Sequence, residues 1–106
     1  MREGRGGRLS GAVRFHLPAA LRQWAGGRET VEMALPAGAR ATIVEAFIAL
    51  GRDYPGLRQR VLDDQGNIRR HVNVFVDGEN VRVAQGGATQ VSEASEVWIY
   101  PALSGG

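Results

Sequence analysis

Cysteine is absent from the 106 residues, and so is lysine, since all thirteen basic residues are arginine. The first absence excludes disulfides, thiolate zinc sites and a cysteine nucleophile. The second removes any lysine amine for Schiff-base or acylation chemistry. No apolar run approaches the ~20 residues that a membrane-spanning helix requires. The N-terminus also lacks an apolar signal segment. The chain therefore reads as a soluble, cytoplasmic protein with no membrane partner.

A conventional catalytic or metal centre is missing as well. The two histidines, His16 and His71, fall in or beside different strands with no neighbouring carboxylate pair, and they read as surface or strand-end residues. Asp63-Asp64 lies in a turn-forming stretch, where local backbone hydrogen bonding accounts for both. Gly26-Gly27 and Gly86-Gly87 lack the strand-turn-helix setting and the lysine of a phosphate loop. These features predict no metal, no bound cofactor and no enzyme activity of the chain by itself. The formal net charge is +2 and the pI about 9.9, but Arg2, Arg5 and Arg8 against Glu3 account for the whole excess. The neutral body argues against a nucleic-acid partner.

The chain has the length of one domain, large enough to bury about 60–65% of its unfolded surface. Residues 1–11 are rich in glycine and arginine, with Met1 and Leu9 as their bulky apolar side chains, and read as a disordered extension. Val13, Phe15 and Leu17 alternate with polar residues, as do Val31, Met33 and Leu35, which predicts two strands, antiparallel across a short connection. Leu21 and Trp24 fit one helical turn between them. Thr42 and Glu45 form a capping box ahead of a three-turn amphipathic helix carrying Ile43, Phe47, Leu50 and Tyr54. Gly51 weakens its last turn. A short connector pinned by Leu57, Val61 and Leu62 follows.

Ile68 to Val76 reads as the strongest strand, with Val72, Val74 and Val76 inward. Asp77-Gly78 signals a tight turn, followed by a short extended piece around Val81 and Val83. Residues 88–95 read as a loop with Val91 tucked inward. A final strand from Glu96 to Tyr100 places Val97 and Ile99 in the core. The sum is an α+β fold, one helix laid across a sheet of four to five strands, with the first and last strands paired at its centre.

Two features are left over. Phe75, Trp98 and Tyr100 share the face of the sheet opposite the core, with His16 placed to join them. Such a patch either marks a protein partner or lies under a loop or the N-terminal extension. The second feature is the closing segment Pro101-Ala102-Leu103-Ser104-Gly105-Gly106. Two glycines after a final strand read either as a frayed end or as an accessible carboxylate put to chemical use. Glycine at the last two positions removes the Cβ atoms that would crowd attack on that carboxylate.

The element order, the segment His71-Val72-Asn73-Val74-Phe75-Val76-Asp77-Gly78-Glu79 and, above all, the strand-Pro-x-x-x-Gly-Gly ending resemble the MoaD/ThiS family of ubiquitin-like sulfur carriers. The likeness spans residues 12–106. Within the family it is similar to actinobacterial cysteine-biosynthesis carriers and archaeal MoaD-like small modifiers. It implies a β-grasp domain over residues 12–101 with a mixed sheet, and a flexible tail over 102–106.

It implies that Gly106 is the reacting carboxylate and that Gly105 gives access to it. Leu103, Tyr100, Trp98 and Phe75 are then partner contacts, Leu103 entering a partner's channel. The implied partner is an E1-like enzyme of MoeB/ThiF type, which consumes ATP to adenylate Gly106 before a sulfur donor converts it to a thiocarboxylate. Three destinations are consistent: a sulfur-acceptor enzyme of cysteine or thiamin synthesis, the large subunit of molybdopterin synthase, or a target protein conjugated through Gly106. The last would imply a deconjugating metalloprotease. A non-covalent interaction module, in which the tail is dispensable, is the reading from a different class. The family's acidic-Gly-acidic turn is replaced here by Glu93-Ala94-Ser95, which predicts altered geometry ahead of the last strand.

Overall fold

Alternation of apolar and polar residues dictates the strands. The computed structural model describes residues 10–101, and in it β1 (Ser10–His16) buries Val13 and Phe15 completely. β2 (Thr30–Pro36) pairs antiparallel with β1, from Ser10 opposite Pro36 to His16 opposite Thr30. It buries Val31 and Leu35 and leaves Met33 half-buried. The strand begins at Ser10, so Gly11 belongs to the sheet. A Cβ at Gly11 would stand 2.3 Å from that of Glu93, a distance only glycine tolerates. Between the strands run a single turn, α1 (Ala19–Arg22), and a 3-10 turn. Trp24 packs there so closely on Gly56 that a Cβ would meet its ring at 2.7 Å, and the Arg60 guanidinium lies 3.9 Å over that ring.

The capping box forms as the sequence predicts. At the start of α2 (Ile43–Leu50) the Glu45 amide donates to Thr42 Oγ1 at 3.0 Å, and the Thr42 amide donates to Glu45 Oε1 at 2.9 Å. Ile43, Ala46, Phe47 and Leu50 face the sheet, and Phe47 meets Phe15 at 5.3 Å between ring centroids. The helix is shorter than predicted and stops at Gly51. The connector expected after it is α3 (Pro55–Val61), opened by proline at its first position and burying Leu57 and Val61. Glycine at residue 51 lets the Arg58 side chain pack against the backbone here, since a Cβ would stand 2.7 Å from it.

β4 (Val72–Val76) buries all three valines, and Asp77-Gly78 turns it into β5 (Glu79–Asn80) with φ of 50° and 91°. The predicted strand from Ile68 does not form over its first residues. Ile68 makes only an isolated bridge to Leu62, while the carbonyls of Arg69, Arg70 and Val72 accept from Arg82 Nη2 at 3.0, 2.9 and 2.7 Å. A side chain thus satisfies groups that a strand would have paired. Val83, read as extended, lies in a turn and is exposed. The segment read as a loop contains β6 (Gln90–Ser92), which pairs with β3 (Arg40–Thr42) as a separate two-stranded sheet and buries Val91.

β7 (Glu96–Pro101) inserts between β1 and β4, giving the order β2-β1-β7-β4-β5. It runs parallel to β1, with Phe15 beside Val97 and His16 beside Trp98. Against β4 it is antiparallel, from Val72 opposite Pro101 to Val76 opposite Val97. Helices cover one face of this mixed five-stranded sheet, which is the α+β, β-grasp arrangement implied by the resemblance.

Candidate functional site

The uncovered face of the sheet carries the candidate site. Because side chains alternate across a strand, burying Val97 and Ile99 sends Trp98 and Tyr100 to the opposite side. They remain 42% and 46% exposed. β4 repeats the logic: Val74 and Val76 are buried, and Phe75 emerges beside Trp98, its cross-strand partner.

The three aromatics and His16 form one continuous row. The His16 ring stacks on Trp98 at 3.8 Å with 6° between planes. Trp98 and Tyr100 lie nearly parallel at 6.3 Å, and Tyr100 meets Phe75 edge-on at 5.7 Å. No described loop hides Trp98 or Tyr100. The sequence foresaw His16 in this row, but not its carboxylate partner. His16 Nε2 is hydrogen-bonded to Glu96 Oε1, and Arg14 lies 3.9 Å from the other oxygen of that carboxylate and 3.3 Å from Glu32. The parallel register that sets Arg14 beside Glu96 creates this cluster. No spacing along the chain announces a contact across eighty positions. The row therefore has an apolar, aromatic middle and an ionic border at the β1 end.

The turn that launches β7 is also fixed in detail. Altered geometry is the expectation for Glu93-Ala94-Ser95, yet Ala94 takes φ 68°, the left-handed conformation that glycine favours. The turn compensates with hydrogen bonds. The Ala94 amide donates to the Ala12 carbonyl at 2.9 Å, the Arg14 amide to Ser95 at 3.0 Å, and the Ser92 amide to the buried Ser95 Oγ at 2.9 Å. At the other end, the Asp77 carboxylate accepts from the Glu96 amide at 2.9 Å.

The remaining candidates separate from the row. Asp63 Oδ1 accepts from the amides of Gln65 and Asn67, both at 2.9 Å, so it serves the turn. Among the described residues, no group of three or more histidine, aspartate or glutamate side chains is arranged to hold a metal. No described helix is long and apolar enough to cross a membrane. Leu103, Gly105 and Gly106 lie outside the described residues, as does most of the N-terminal extension. The arrangement offers a rigid strand, flanked by exposed aromatics, that delivers the chain to position 101.

Comparison with known proteins agrees with this geometry. The family model described as "ThiS family" matches residues 15–106. Sulfur carrier protein CysO of Mycobacterium tuberculosis is 31% identical over 96 residues, covering 89% of this chain and 98% of that protein. A solved structure described as the Amycolatopsis orientalis BexX/CysO complex aligns with a TM-score of 0.75 at 29% identity, over 90% of this chain and all of the matched one. Small archaeal modifier protein 1 from Haloferax volcanii aligns at 0.71 and 30% identity, over 91% of this chain and all of that one. A family match that takes in β7 and everything after it, on a sheet of this order, leads to one conclusion: the chain belongs to the ThiS family, the MoaD/ThiS ubiquitin-like sulfur carriers.

Proposed function

We propose that this chain carries sulfur on the carboxylate of Gly106. In the first step, a carboxylate oxygen attacks the α-phosphorus of ATP on an E1-like enzyme of MoeB/ThiF type, forming an acyl-adenylate and releasing pyrophosphate. A sulfur donor then displaces AMP at the carbonyl carbon. The thiocarboxylate so formed surrenders its sulfur to a biosynthetic acceptor. A carboxylate is a poor electrophile until it gains such a leaving group. No described side chain is asked to do chemistry, so the chain is a cosubstrate and its partners are the catalysts.

The observation that carries this reading is the family match through residue 106, which includes Gly105-Gly106 and Leu103. The aromatic row supports it, because an exposed apolar patch on the strand leading to the tail is where a partner gains purchase. Trp98, Tyr100 and Phe75 are the docking contacts in this reading, and Leu103 enters the partner's channel. The complex of BexX with CysO favours docking on a second protein. Likeness to the sulfur carrier protein CysO over 98% of its length favours transfer of sulfur to an acceptor, which the resemblance to cysteine-biosynthesis carriers makes one of the cysteine type.

Likeness to small archaeal modifier proteins favours a second reading, in which Gly106 is joined to a target protein and later released by a metalloprotease. The molybdopterin synthase reading draws on a neighbour only 21% identical and has less behind it. Exchange of labelled pyrophosphate into ATP by the cognate adenylating enzyme tests the first step. Exchange is expected with the intact chain and not after deletion of Gly106; exchange undiminished by that deletion contradicts the proposal.

A further inference from the structure

The Trp98 and Tyr100 rings stand apart in a way that leaves room for a third flat group. Their planes are 10° from parallel and their centroids 6.3 Å apart. Two residues rise about 6.6–6.8 Å along a strand, so the rings stand upright on β7 about one strand period apart. His16 is hydrogen-bonded back to Glu96, which precedes Trp98, and therefore covers the Trp98 face away from Tyr100. Phe75 meets Tyr100 edge-on and walls one side. The space between Trp98 and Tyr100 is thus lined by two ring faces and opens to solvent, both residues being exposed.

The charges around this slot select its occupant. The alternation that buries Val13, Phe15, Val31, Val74 and Val97 puts Arg14, Glu32 and Glu96 on the aromatic face, two carboxylates for one guanidinium. Arg14 is already engaged by both, at 3.3 and 3.9 Å. The Asp77 carboxylate adds a third acid at the start of β7, on the Glu96 amide. An acidic excess beside two electron-rich ring faces favours a cation. Between parallel rings that cation must be flat, which fits guanidinium and not the compact, strongly hydrated ammonium of lysine. A plane midway between the rings lies about 3.2 Å from each centroid, half of 6.3 Å. Parting the rings by less than about 1 Å brings both contacts to the ~3.5 Å of van der Waals packing. The chain already makes one face of such a sandwich, with the Arg60 guanidinium 3.9 Å over the Trp24 ring.

We infer that Trp98 and Tyr100 form an arginine slot: the protein partner that docks on the aromatic row inserts one guanidinium between the two rings, drawn in by Glu96 and Glu32. The inference rests on the docking role proposed for this face and names the partner's chemistry there. It does not depend on activation of Gly106.

NMR of the full chain titrated with N-acetyl-arginine amide tests the slot without any enzyme. The Trp98 indole and Tyr100 ring signals are expected to shift with saturation, while the Trp24 indole, which Arg60 already covers, stays in place and reports a folded chain. The corresponding lysine and phenylalanine amides are expected to shift Trp98 at least about threefold less at equal concentration. No shift of Trp98 with the arginine amide, or an equal shift with either control, overturns the slot. Glu32→Gln leaves the His16–Glu96 bond in place and is expected to weaken the arginine response about twofold; an undiminished response overturns the part given to charge. In pyrophosphate exchange with the adenylating enzyme, Tyr100→Leu removes one wall and is expected to raise KM for the chain about fivefold or more with kcat retained. An unchanged KM overturns insertion by the partner.

Discussion

Ala94 is the residue at which the backbone is most clearly asked for something its side chain resists. Its φ of 68° places a Cβ in the left-handed region, at a cost of about 1–2 kcal/mol. Glycine relieves that strain but gives back about 0.5–1 kcal/mol in chain entropy. Ala94→Gly is therefore expected to stabilise the fold by up to about 1 kcal/mol, read as a melting temperature several degrees higher. An unchanged or lower melting temperature would mean that the chain entropy of glycine outweighs the strain relieved at position 94.

Trp98 and Tyr100 make the opposite case, since much of each ring is in solvent. Trp98→Ala forfeits the stack on His16, worth about 0.5–1.5 kcal/mol, yet is expected to weaken partner binding at least tenfold as a buried aromatic anchor would. Tyr100→Ala should behave alike. Titration calorimetry with the adenylating enzyme and thermal melts decide the matter; variants that lose stability but bind normally would show that the outer face serves the fold.

At the scale of elements, the parts that follow a local rule were readable and the parts that depend on distant partners were not. Thr42 and Glu45 announce the start of α2, and the bonds at 3.0 and 2.9 Å are there. Thr42→Ala is expected to cost about 1 kcal/mol, lowering the melting temperature by about 4–8 °C.

The segment 68–71 shows the other case. Its β-branched and basic residues suit a strand, but Arg82 reaches three of the neighbouring carbonyls, and nothing at positions 68–72 anticipates an arginine ten residues on. Lysine has no planar fork to reproduce this contact. Arg82→Lys is expected to speed amide exchange at Val72, whose N–H bonds back to the Arg69 carbonyl at 3.0 Å, with little change elsewhere. The β3–β6 sheet was missed for a related reason: strands of three residues carry too little alternation to register, and only Val91 hinted at burial.

Across the whole molecule, the sheet order explains why one face carries the aromatic row. Inserting β7 between β1 and β4 gives the last strand a partner on each side, so the chain leaves the sheet from its central strand. The same insertion brings His16 to Trp98 and Glu96, which no local pattern encodes. Strand faces were legible because alternation is local, whereas the ionic border of His16, Glu96 and Arg14 required the fold. Deleting Gly106 removes a residue beyond the sheet and is expected to leave thermal unfolding unchanged. A clear loss of stability would make the tail a structural element.

Sulfur loading of Gly106 is the step on which the proposed function turns. Intact and fragment mass spectrometry after incubation with the adenylating enzyme, ATP and sulfide tests it most directly. The expected result is the mass change of one oxygen replaced by sulfur, confined to the fragment that contains Gly106 and absent from the Gly106 deletion. An unmodified Gly106 under conditions in which the enzyme consumes ATP, or the same mass change in the deletion variant, would contradict it.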